Sequence, residues 1–270
     1  MRIGFIGGGN MAAAIIGGVL RSDNLKSDYP GLEVIVSDTN LEQLERLSSK
    51  CPGIQTSGDN SRVVQSSQVV FLAVKPQNID PVLVEIKSQS DNKLIISIAA
   101  GVTIRKLQSV LANSRIIRVM PNTPCLVEAG MSALSFADNV TDDDKQLAKS
   151  IFSAIGQTVN VDEAQINAVT GLSGSGPAFV YEVARALIEG GIASGLEPEV
   201  ARKLAAQTLV GAGKMLLERT ESPAELVKMV ASPGGTTEAG LKVLSYENWQ
   251  KPLQDAVIAA KNRADELTGK

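Results

Sequence analysis

Residues 2–20 read RIGFIGGGNMAAAIIGGVL, and this stretch decides the fold. A short apolar run at residues 2–6 leads directly into three consecutive glycines, and a helix-forming sequence follows them. The glycines fit Gly7-x-Gly9-x-x-Ala12, a form of the G-x-G-x-x-G/A fingerprint of a strand, tight turn and helix that binds dinucleotide phosphates. Gly7 permits the turn, Gly9 lets a pyrophosphate approach the backbone, and the helix N-terminus attracts the phosphates. A glycine-rich turn without a ligand is the alternative interpretation.

The same stretch also has features of a secretory signal. It is almost wholly apolar or small, it follows Met1 and Arg2, and residues 12–14 imitate a signal-peptidase site. The glycines and Asn10 weaken a continuous apolar helix, however, and one positive charge is little for a signal. We therefore favour the strand, turn and helix, and expect no membrane segment.

Composition excludes several classes of site. The 270 residues allow one large domain or two, and 44% hydrophobic with 20% charged residues are typical of a globular chain. The chain has no histidine, which excludes serine–histidine and cysteine–histidine catalysis and every histidine-containing zinc site. Cys51 and Cys125 are too few for a four-cysteine metal site, so we expect reduced thiols of a cytoplasmic protein and no metal. A net charge of −3 argues against a nucleic-acid partner.

Short apolar runs alternate with helical patterns over the first part of the chain. After the first strand, the strand-like runs are residues 33–37, 69–74, 94–98, 116–120 and 158–161. The runs at residues 69–74, 94–98 and 116–120 are largely apolar rather than alternating, which is typical of strands that are buried on both faces of a parallel sheet. The order predicts an α/β fold, with a Rossmann-type doubly wound parallel sheet in a dinucleotide-binding domain of residues 1–162. Residues 22–30 are interpreted as a loop inserted before the second strand.

Asp38 follows the second strand, where an acidic residue holds the adenosine ribose in NAD-binding proteins. Ser37, Thr39 and Asn40 offer hydrogen bonds to a 2′-phosphate instead, although no arginine directly follows the strand. These residues therefore leave both NADH and NADPH open. A third interpretation makes Asp38 the N-cap of the next helix, because aspartate is favoured there.

Three loops follow predicted strands at their carboxyl ends, where open α/β sheets bind ligands. They are Ala73-Val74-Lys75-Pro76, Ala99-Ala100-Gly101 and the segment MPNTP around Asn122. Small residues leave room for a flat cofactor, while Lys75 and Asn122 supply polar contacts. Ordinary turn chemistry explains any one loop, but three on one edge predict a shared site.

The chain changes character after about residue 136. Thr141 and the three aspartates that follow it predict a helix N-terminus, which we prefer to a metal site. From residue 163 we find no convincing strand, so residues 163–270 are assigned to an all-α domain. Helical stretches at about 178–193 and 198–217 are rich in alanine and glycine, and their apolar residues cover more than one face. This pattern predicts an intertwined homodimer rather than a self-contained bundle.

A second glycine-rich segment lies inside the helical half. Residues 223–244 read PAELVKMVASPGGTTEAGLKVL, in which residues 232–237 form a hydroxyl-rich entry to a helix. Backbone N–H groups and hydroxyls in such an entry suit a small carboxylate, and Thr237 adds a neutral donor and acceptor. A plain capped helix entry is the alternative.

This segment resembles PxxLxxxVxSPGGTT, the signature of the pyrroline-5-carboxylate reductases. GLSGSGPA, AVKP, AAG and MPNTP are similar to other landmarks of that family, and the resemblance runs from FIGGGNM to the last helix, residues 249–267. It implies an oxidoreductase that reduces L-1-pyrroline-5-carboxylate to L-proline with NADPH or NADH, the last step of proline biosynthesis. It also implies a helical dimerisation and substrate-binding domain, and assembly of dimers into a higher oligomer such as a decamer.

The resemblance further implies roles for individual residues. The cofactor-binding residues would be Ile6, Gly7, Gly8, Gly9, Asn10 and Met11 at the pyrophosphate, Ser37 and Asn60 at the adenosine, and Ala73, Val74, Lys75, Pro76, Ala99, Ala100, Gly101 and Asn122 at the nicotinamide half. The substrate-binding residues would be Ser232, Gly234, Gly235, Thr236 and Thr237, with Thr237 also the catalytic residue at the ring nitrogen. Their segment would reach across the dimer to the nicotinamide of the partner subunit.

Two other functions fit parts of the sequence. A β-hydroxyacid dehydrogenase shares the two-domain plan but needs a catalytic base, for which Lys214 is the attractive candidate. A lysine that snorkels at a surface explains Lys214 more simply. A nucleotide-binding regulator without turnover is the alternative from another class, and nothing in the sequence favours it.

Overall fold

A computed structural model gives the fold of residues 1–269. Within them, eight strands form one sheet: β1 (Arg2–Ile6), β2 (Glu33–Ser37), β3 (Gln55–Ser57), β4 (Val69–Leu72), β5 (Leu94–Ser97), β6 (Arg115–Met120), β7 (Gly130–Phe136) and β8 (Gly156–Asn160). Their spatial order is β3-β2-β1-β4-β5-β6-β7-β8, and the first six have the order typical of dinucleotide-binding sheets. The predicted Rossmann-type sheet is confirmed.

Helices connect and follow the strands. They are α1 (Asn10–Arg21), α2 (Asp23–Asp28), α3 (Leu41–Lys50), α4 (Asn60–Ser66), α5 (Ile79–Ile86), α6 (Ile104–Val110), α7 (Asp142–Ser153), α8 (Ile166–Val169), α9 (Gly176–Ala193), α10 (Pro198–Glu218), α11 (Pro223–Val230), α12 (Thr236–Tyr246) and α13 (Gln250–Thr268). No strand occurs between residues 163 and 269, so the predicted all-α half is confirmed. None of the helices in the described chain combines the length and apolar character that a membrane span requires.

The central strands are buried on both faces, as their apolar sequences predict. Every residue of β4 and β5 is buried, and so are the last four residues of β1. Phe5 of β1 and Phe71 of β4 stack with ring centroids 4.5 Å apart, and Phe152 of α7 packs on Phe71 at 6.1 Å. Burying each such side chain contributes roughly 1.5–3 kcal/mol, so the core holds the carboxyl ends of these strands in fixed register.

Three elements differ from the sequence-based expectation. β7 was not predicted, and it runs antiparallel to β6, so the sheet is not wholly parallel. β3 was also missed, because its three residues QTS carry no apolar pattern at the edge of the sheet. The expected inserted loop at residues 22–30 is wrong, since α2 forms there. Ser22 caps α2 by accepting a hydrogen bond from the Leu25 N–H, and Leu25 is fully buried.

The acidic start of α7 forms a capping box, in agreement with the predicted helix N-terminus. Thr141 Oγ1 accepts from the Asp144 N–H at 3.2 Å, while the Thr141 N–H donates to Asp144 Oδ2 at 3.1 Å. Arg115 Nε also donates to Asp144 Oδ2, at 2.6 Å. Burial opposes ionisation of this carboxyl, but the hydrogen bonds from Arg115 and Thr141 outweigh it and hold the pKa of Asp144 below its ordinary 3.8.

We expect Asp144 to make the fold sensitive to acid. Because its pKa is lower in the folded chain than in the unfolded chain, its contribution is complete above pH 3.8 and is lost as the pH falls through the folded-state pKa. The free energy of unfolding of wild type should therefore exceed that of Asp144→Asn at neutral pH, and the gap should shrink below pH 3.8. Asp143→Asn, on the exposed side of the same turn, is the matched control. A gap that does not change with pH would contradict this role.

The chain divides into two compact units, Met1–Ser175 with Ile258 onward, and Gly176–Val257. Beyond residue 162, Glu163 remains tied to the sheet unit. Its Oε1 accepts from the Ile104 N–H at 2.7 Å and from Nη1 of the buried Arg118 at 3.0 Å. The functional boundary between residues 162 and 163 stays a prediction.

The helical unit exposes its apolar side chains. Helices α9, α11 and α12 bury no residue within one chain, and α10 buries only Ala201 and Ala205. Leu204 is 54% exposed and Leu217 79%. Close backbone packing occurs at Gly191, where a Cβ atom would lie 3.3 Å from the Ala201 Cβ. So much exposed apolar surface on helices favours the predicted intertwined dimer.

Candidate active site

The strand register gathers three loops at one edge of the sheet. Ile6 lies opposite Ser37 on one side and opposite Leu72 on the other. The residues that follow are therefore neighbours: the Gly7 N–H donates to the Ser37 carbonyl at 2.7 Å, and the Ala73 N–H donates to the Ile6 carbonyl at 2.8 Å. This edge is the carboxyl end of parallel strands, where such sheets bind ligands.

A cavity of about 470 Å³ opens at this edge. Its lining consists of Ile6, Gly7, Gly9, Ser37, Asp38, Thr39, Asn60, Ala73, Val74, Lys75, Asn78, Pro81, Val82 and Glu85. The volume falls in the range of roughly 300–1,000 Å³ that is usual for cofactor sites. The structure thus brings together predicted residues from the glycine loop, from the end of β2, from α4 and from the loop after β4.

Gly7 and Gly9 play different parts in the loop between β1 and α1. Gly7 has φ +99°, and a Cβ atom there would lie 2.7 Å from the Ala73 carbonyl oxygen. Glycine is therefore required by the fold itself. A Cβ atom on Gly9 would meet nothing within 4 Å. Gly9 thus faces open space, as a cradle for a ligand requires.

The N-terminus of α1 suits an anion. Gly9 is its N-cap, no side chain caps the first turn, and the first turn holds no acidic residue. Asn10 and Met11 do not line the cavity but form this first turn, so their N–H groups carry no side-chain partner. Together with the open position at Gly9, this turn fits a dinucleotide pyrophosphate.

Gly8 is already held on both sides by the protein. Its N–H donates to Asp38 Oδ2 at 2.7 Å, and its carbonyl accepts from Gln43 Nε2 at 2.7 Å. The N-cap interpretation of Asp38 is therefore wrong. Asn40 caps α3 instead, since its Oδ1 accepts from the Gln43 N–H at 3.2 Å, while Asp38 turns its carboxylate towards the glycine loop.

A chain of hydrogen bonds fixes Asn60 in the same cavity. Ser37 Oγ donates to Asn60 Oδ1 at 2.7 Å, and Asn60 Nδ2 donates to Glu85 Oε2 at 2.7 Å. Sequence reasoning missed Glu85, because an exposed glutamate on a helix carries no distinctive pattern. Its hydrogen bond with Asn60 depends on the packing of α5 beside α4.

Two predicted loops lie outside this cavity. Ala99, Ala100 and Gly101 do not line it. Gly101 has φ +76°, and a Cβ atom there would lie 3.4 Å from the Leu267 carbonyl oxygen of α13, so its backbone passes close to that helix. Asn122 Nδ2 donates to the Ser173 carbonyl at 3.2 Å, and Asn122 Oδ1 accepts from the Met131 N–H at 2.9 Å. Asn122 thus ties the loop after β6 to its neighbours, and its contact with a nicotinamide stays a prediction. Pro76 begins a 3-10 turn at Pro76–Asn78.

The segment between α11 and α12 forms a tight turn in the helical unit. Gly234 has φ +69°, the Gly235 N–H donates to the Ser232 carbonyl at 3.0 Å, and a Cβ on Gly235 would lie 2.4 Å from Ser232 Oγ. The Gly234 N–H donates to Glu238 Oε2 at 2.5 Å, and Glu238 also pairs with Lys242 at 2.9 Å. Both partners hold the pKa of Glu238 below its ordinary value, Lys242 contributing most. This turn therefore offers a backbone donor to a carboxylate.

Thr237 stands in the first turn of α12. Gly235 is the N-cap of that helix and no side chain caps it, so the turn resembles α1 in leaving its first N–H groups without side-chain partners. Thr237 is half-buried, and its hydroxyl has no hydrogen-bond partner among the described residues. Lys214, the candidate base of the rival function, is exposed on α10.

Known proteins are similar to this chain over nearly its whole length. A family model described as "Pyrroline-5-carboxylate reductase dimerisation" matches residues 163–267, and one described as "NADP oxidoreductase coenzyme F420-dependent" matches residues 2–101. A pyrroline-5-carboxylate reductase of Synechocystis sp. is 40% identical over 99% of this chain and 98% of its own length.

Two solved structures are similar in fold and sequence. A pyrroline-5-carboxylate reductase from Coxiella burnetii has a TM-score of 0.88 and 41% identity, covering 98% of both chains. The Plasmodium falciparum pyrroline carboxylate reductase, solved with NADP bound, has a TM-score of 0.86 and 28% identity, covering 99% of this chain and 98% of its own. Because relatives about 40% identical match nearly the whole of this chain, the chain belongs to the pyrroline-5-carboxylate reductase family.

Proposed function

We propose that this protein reduces L-1-pyrroline-5-carboxylate to L-proline with NADPH or NADH, as the last step of proline biosynthesis. The observation that supports this proposal most strongly is that one chain holds two complementary sites. The first is a glycine loop that is open at Gly9. The second is a turn at Gly234 whose N–H already donates to a carboxylate oxygen. Relatives that carry this enzyme's name and are 40% identical over nearly their full length support the proposal.

Dinucleotide binding belongs to residues 1–162 in this proposal. Residues 6–11 hold the pyrophosphate, and Ser37 and Asn60 hold the adenosine end. Residues 73–76 and 99–101, with Asn122, line the nicotinamide half. When bound, the reduced dinucleotide supplies the hydride for the C=N carbon. The chain itself contributes preorganised N–H donors, and it fixes the amide of Asn60 through Ser37 and Glu85.

Substrate binding belongs to residues 163–270. The Ser232 hydroxyl and the N–H groups of residues 234–237 hold the carboxylate, which displaces Glu238 from the Gly234 N–H. The Thr237 hydroxyl binds the ring nitrogen and fixes the face that the ring presents. A cyclic imine protonated by water already carries the proton that the nitrogen keeps in proline, so no histidine is needed. Positioning two reactants in this way supplies up to ~7–11 kcal/mol of the barrier reduction.

The active site is completed by a second subunit. The chain carries the dimerisation domain of its family, and the apolar faces of α9 and α10 are exposed in one chain. In the proposed assembly, residues 232–237 of one subunit reach the nicotinamide bound by its partner, and dimers associate further into a decamer.

We place the enzyme in the cytoplasm. Its two thiols, Cys51 and Cys125, are buried and unpaired. Burial raises the pKa of both thiols, which keeps them protonated and unreactive. Such thiols are typical of a reducing compartment.

Steady-state oxidation of NADH and NADPH in the presence of pyrroline-5-carboxylate tests the function. We expect turnover that yields proline, and no oxidation of β-hydroxyacids with the oxidised cofactors. Turnover of a β-hydroxyacid without turnover of the imine would establish the rival dehydrogenase. Tight dinucleotide binding with neither reaction would instead favour a regulator.

A further inference from the structure

We infer that Asp38 makes this enzyme select NADH over NADPH, an inference that rests on the proposed function. The two dinucleotides differ only at the adenosine ribose. NADH has a 2′-hydroxyl there, which donates a hydrogen bond, whereas NADPH has a 2′-phosphate, which carries negative charge and acts as an acceptor. The residues around the end of β2 favour the 2′-hydroxyl of NADH.

The carboxylate of Asp38 is fixed in place rather than mobile. Its Oδ2 accepts from the Gly8 N–H at 2.7 Å and its Oδ1 from the Asn40 N–H at 2.9 Å. An ionised carboxylate has about four acceptor positions, so these two bonds leave room for a ribose hydroxyl. They also prevent the side chain from turning out of the cavity to make way for a phosphate.

Two of the neutral donors near the end of β2 that a 2′-phosphate would use, the Asn40 backbone N–H and the Ser37 hydroxyl, are already engaged. Asn40 caps α3 through its Oδ1, and its backbone N–H is bonded to Asp38. The Ser37 hydroxyl donates to Asn60, whose amide nitrogen donates to Glu85. The Thr39 hydroxyl and Asn40 Nδ2 have no partner among the described residues, but both groups are neutral.

The charges around the cavity also favour NADH over NADPH. Its described lining contains the carboxylates of Asp38 and Glu85, and Lys75 as its one cation, with no arginine. Lys75 belongs to the loop after β4, which the proposed function assigns to the nicotinamide half. Arg46 of α3 lines a separate depression beside Glu42. Bringing a phosphate against Asp38 would therefore place like charges together without a counterion, which is costly.

Calorimetric titration of the full-length protein with NADH and with NADPH measures this preference without turnover. We expect NADH to bind at least about tenfold more tightly, as uncompensated like charges require. Titrations with 5′-AMP and adenosine 2′,5′-bisphosphate should show the same order, because both lack the nicotinamide.

Substitutions at Asp38 then assign the preference to this carboxylate. Asp38→Asn keeps the side chain's shape and removes its charge, so the ratio of the two dissociation constants should move towards NADPH by about tenfold. Asp38→Glu keeps the charge and should keep the preference for NADH. Glu42→Gln removes a carboxylate four residues further along, outside the cavity, and should leave the ratio unchanged.

Equal or tighter binding of NADPH by wild type would overturn the inference, whether or not the variants fold. An unchanged ratio in Asp38→Asn would overturn it as well. If the protein binds neither dinucleotide, the proposed function fails. If it reduces the imine with both cofactors and binds them equally, only the role of Asp38 fails.

Discussion

Replacing Thr237 by alanine should lower kcat for imine reduction on the order of a hundredfold, the usual effect of losing one preorganised hydrogen-bonding group at a reacting centre. The Thr237 hydroxyl is half-buried at the first turn of α12 and has no partner among the described residues, so it is available to the ring nitrogen. The dissociation constant for NADH should stay nearly unchanged, because cofactor binding is assigned to the glycine loop. Steady-state kinetics and a calorimetric titration measure the two quantities.

Thr237→Ser is the matched control for that prediction. Serine retains the hydroxyl at the same position, so it should restore most of the lost turnover. An equal loss of NADH binding in Thr237→Ala would contradict the role, since the hydroxyl would then support the cofactor or the fold. Failure of serine to restore turnover would count against a hydrogen bond to the ring nitrogen.

Alanine at Gly7 should damage the fold, by about 2–4 kcal/mol of unfolding free energy. The residue has φ +99°, which L-residues avoid, and its Cβ would lie 2.7 Å from the Ala73 carbonyl oxygen. That oxygen belongs to the backbone of the neighbouring loop and cannot move aside without disturbing the strand ends. Denaturant unfolding of the variant measures the loss.

Alanine at Gly9 should have the opposite profile. A methyl group there meets nothing within 4 Å, so the free energy of unfolding should change by no more than about 0.5 kcal/mol. The methyl group would occupy the space assigned to the pyrophosphate, and NADH affinity should fall about tenfold or more. Unaltered NADH binding by Gly9→Ala would show that the pyrophosphate lies elsewhere. An unchanged free energy of unfolding in Gly7→Ala would show that the backbone at residue 7 tolerates a Cβ atom.

The sequence predicted those elements whose local pattern is strong. Continuous apolar runs identified β1, β2, β4, β5 and β6, because burial on both faces selects such residues. β7 was missed because GMSALSF mixes small and polar residues, and its stability comes from pairing with strands on both sides. α2 was missed because its six residues, DNLKSD, bury only Leu25.

The site also contains features that the sequence could predict and features that it could not. The motifs around Gly7 and Gly234 are local, so their turns could be predicted from residue types and spacing. The partners of Asp38 and Asn60 could not, since Gly8 is 30 residues from Asp38 and Glu85 is 25 residues from Asn60. These pairs depend on strand register and helix packing, which one sequence does not specify.

The structure of the enzyme crystallised with NAD⁺ and L-proline tests the central claim most directly. We expect the proline carboxylate on the N–H groups of residues 234–237. The proline C5 atom should lie about 3–4 Å from C4 of the nicotinamide of a dinucleotide whose pyrophosphate binds the glycine loop of the partner subunit. Proline bound away from the pyridine ring, or outside residues 232–237, would contradict the claim that this turn holds the substrate for hydride transfer.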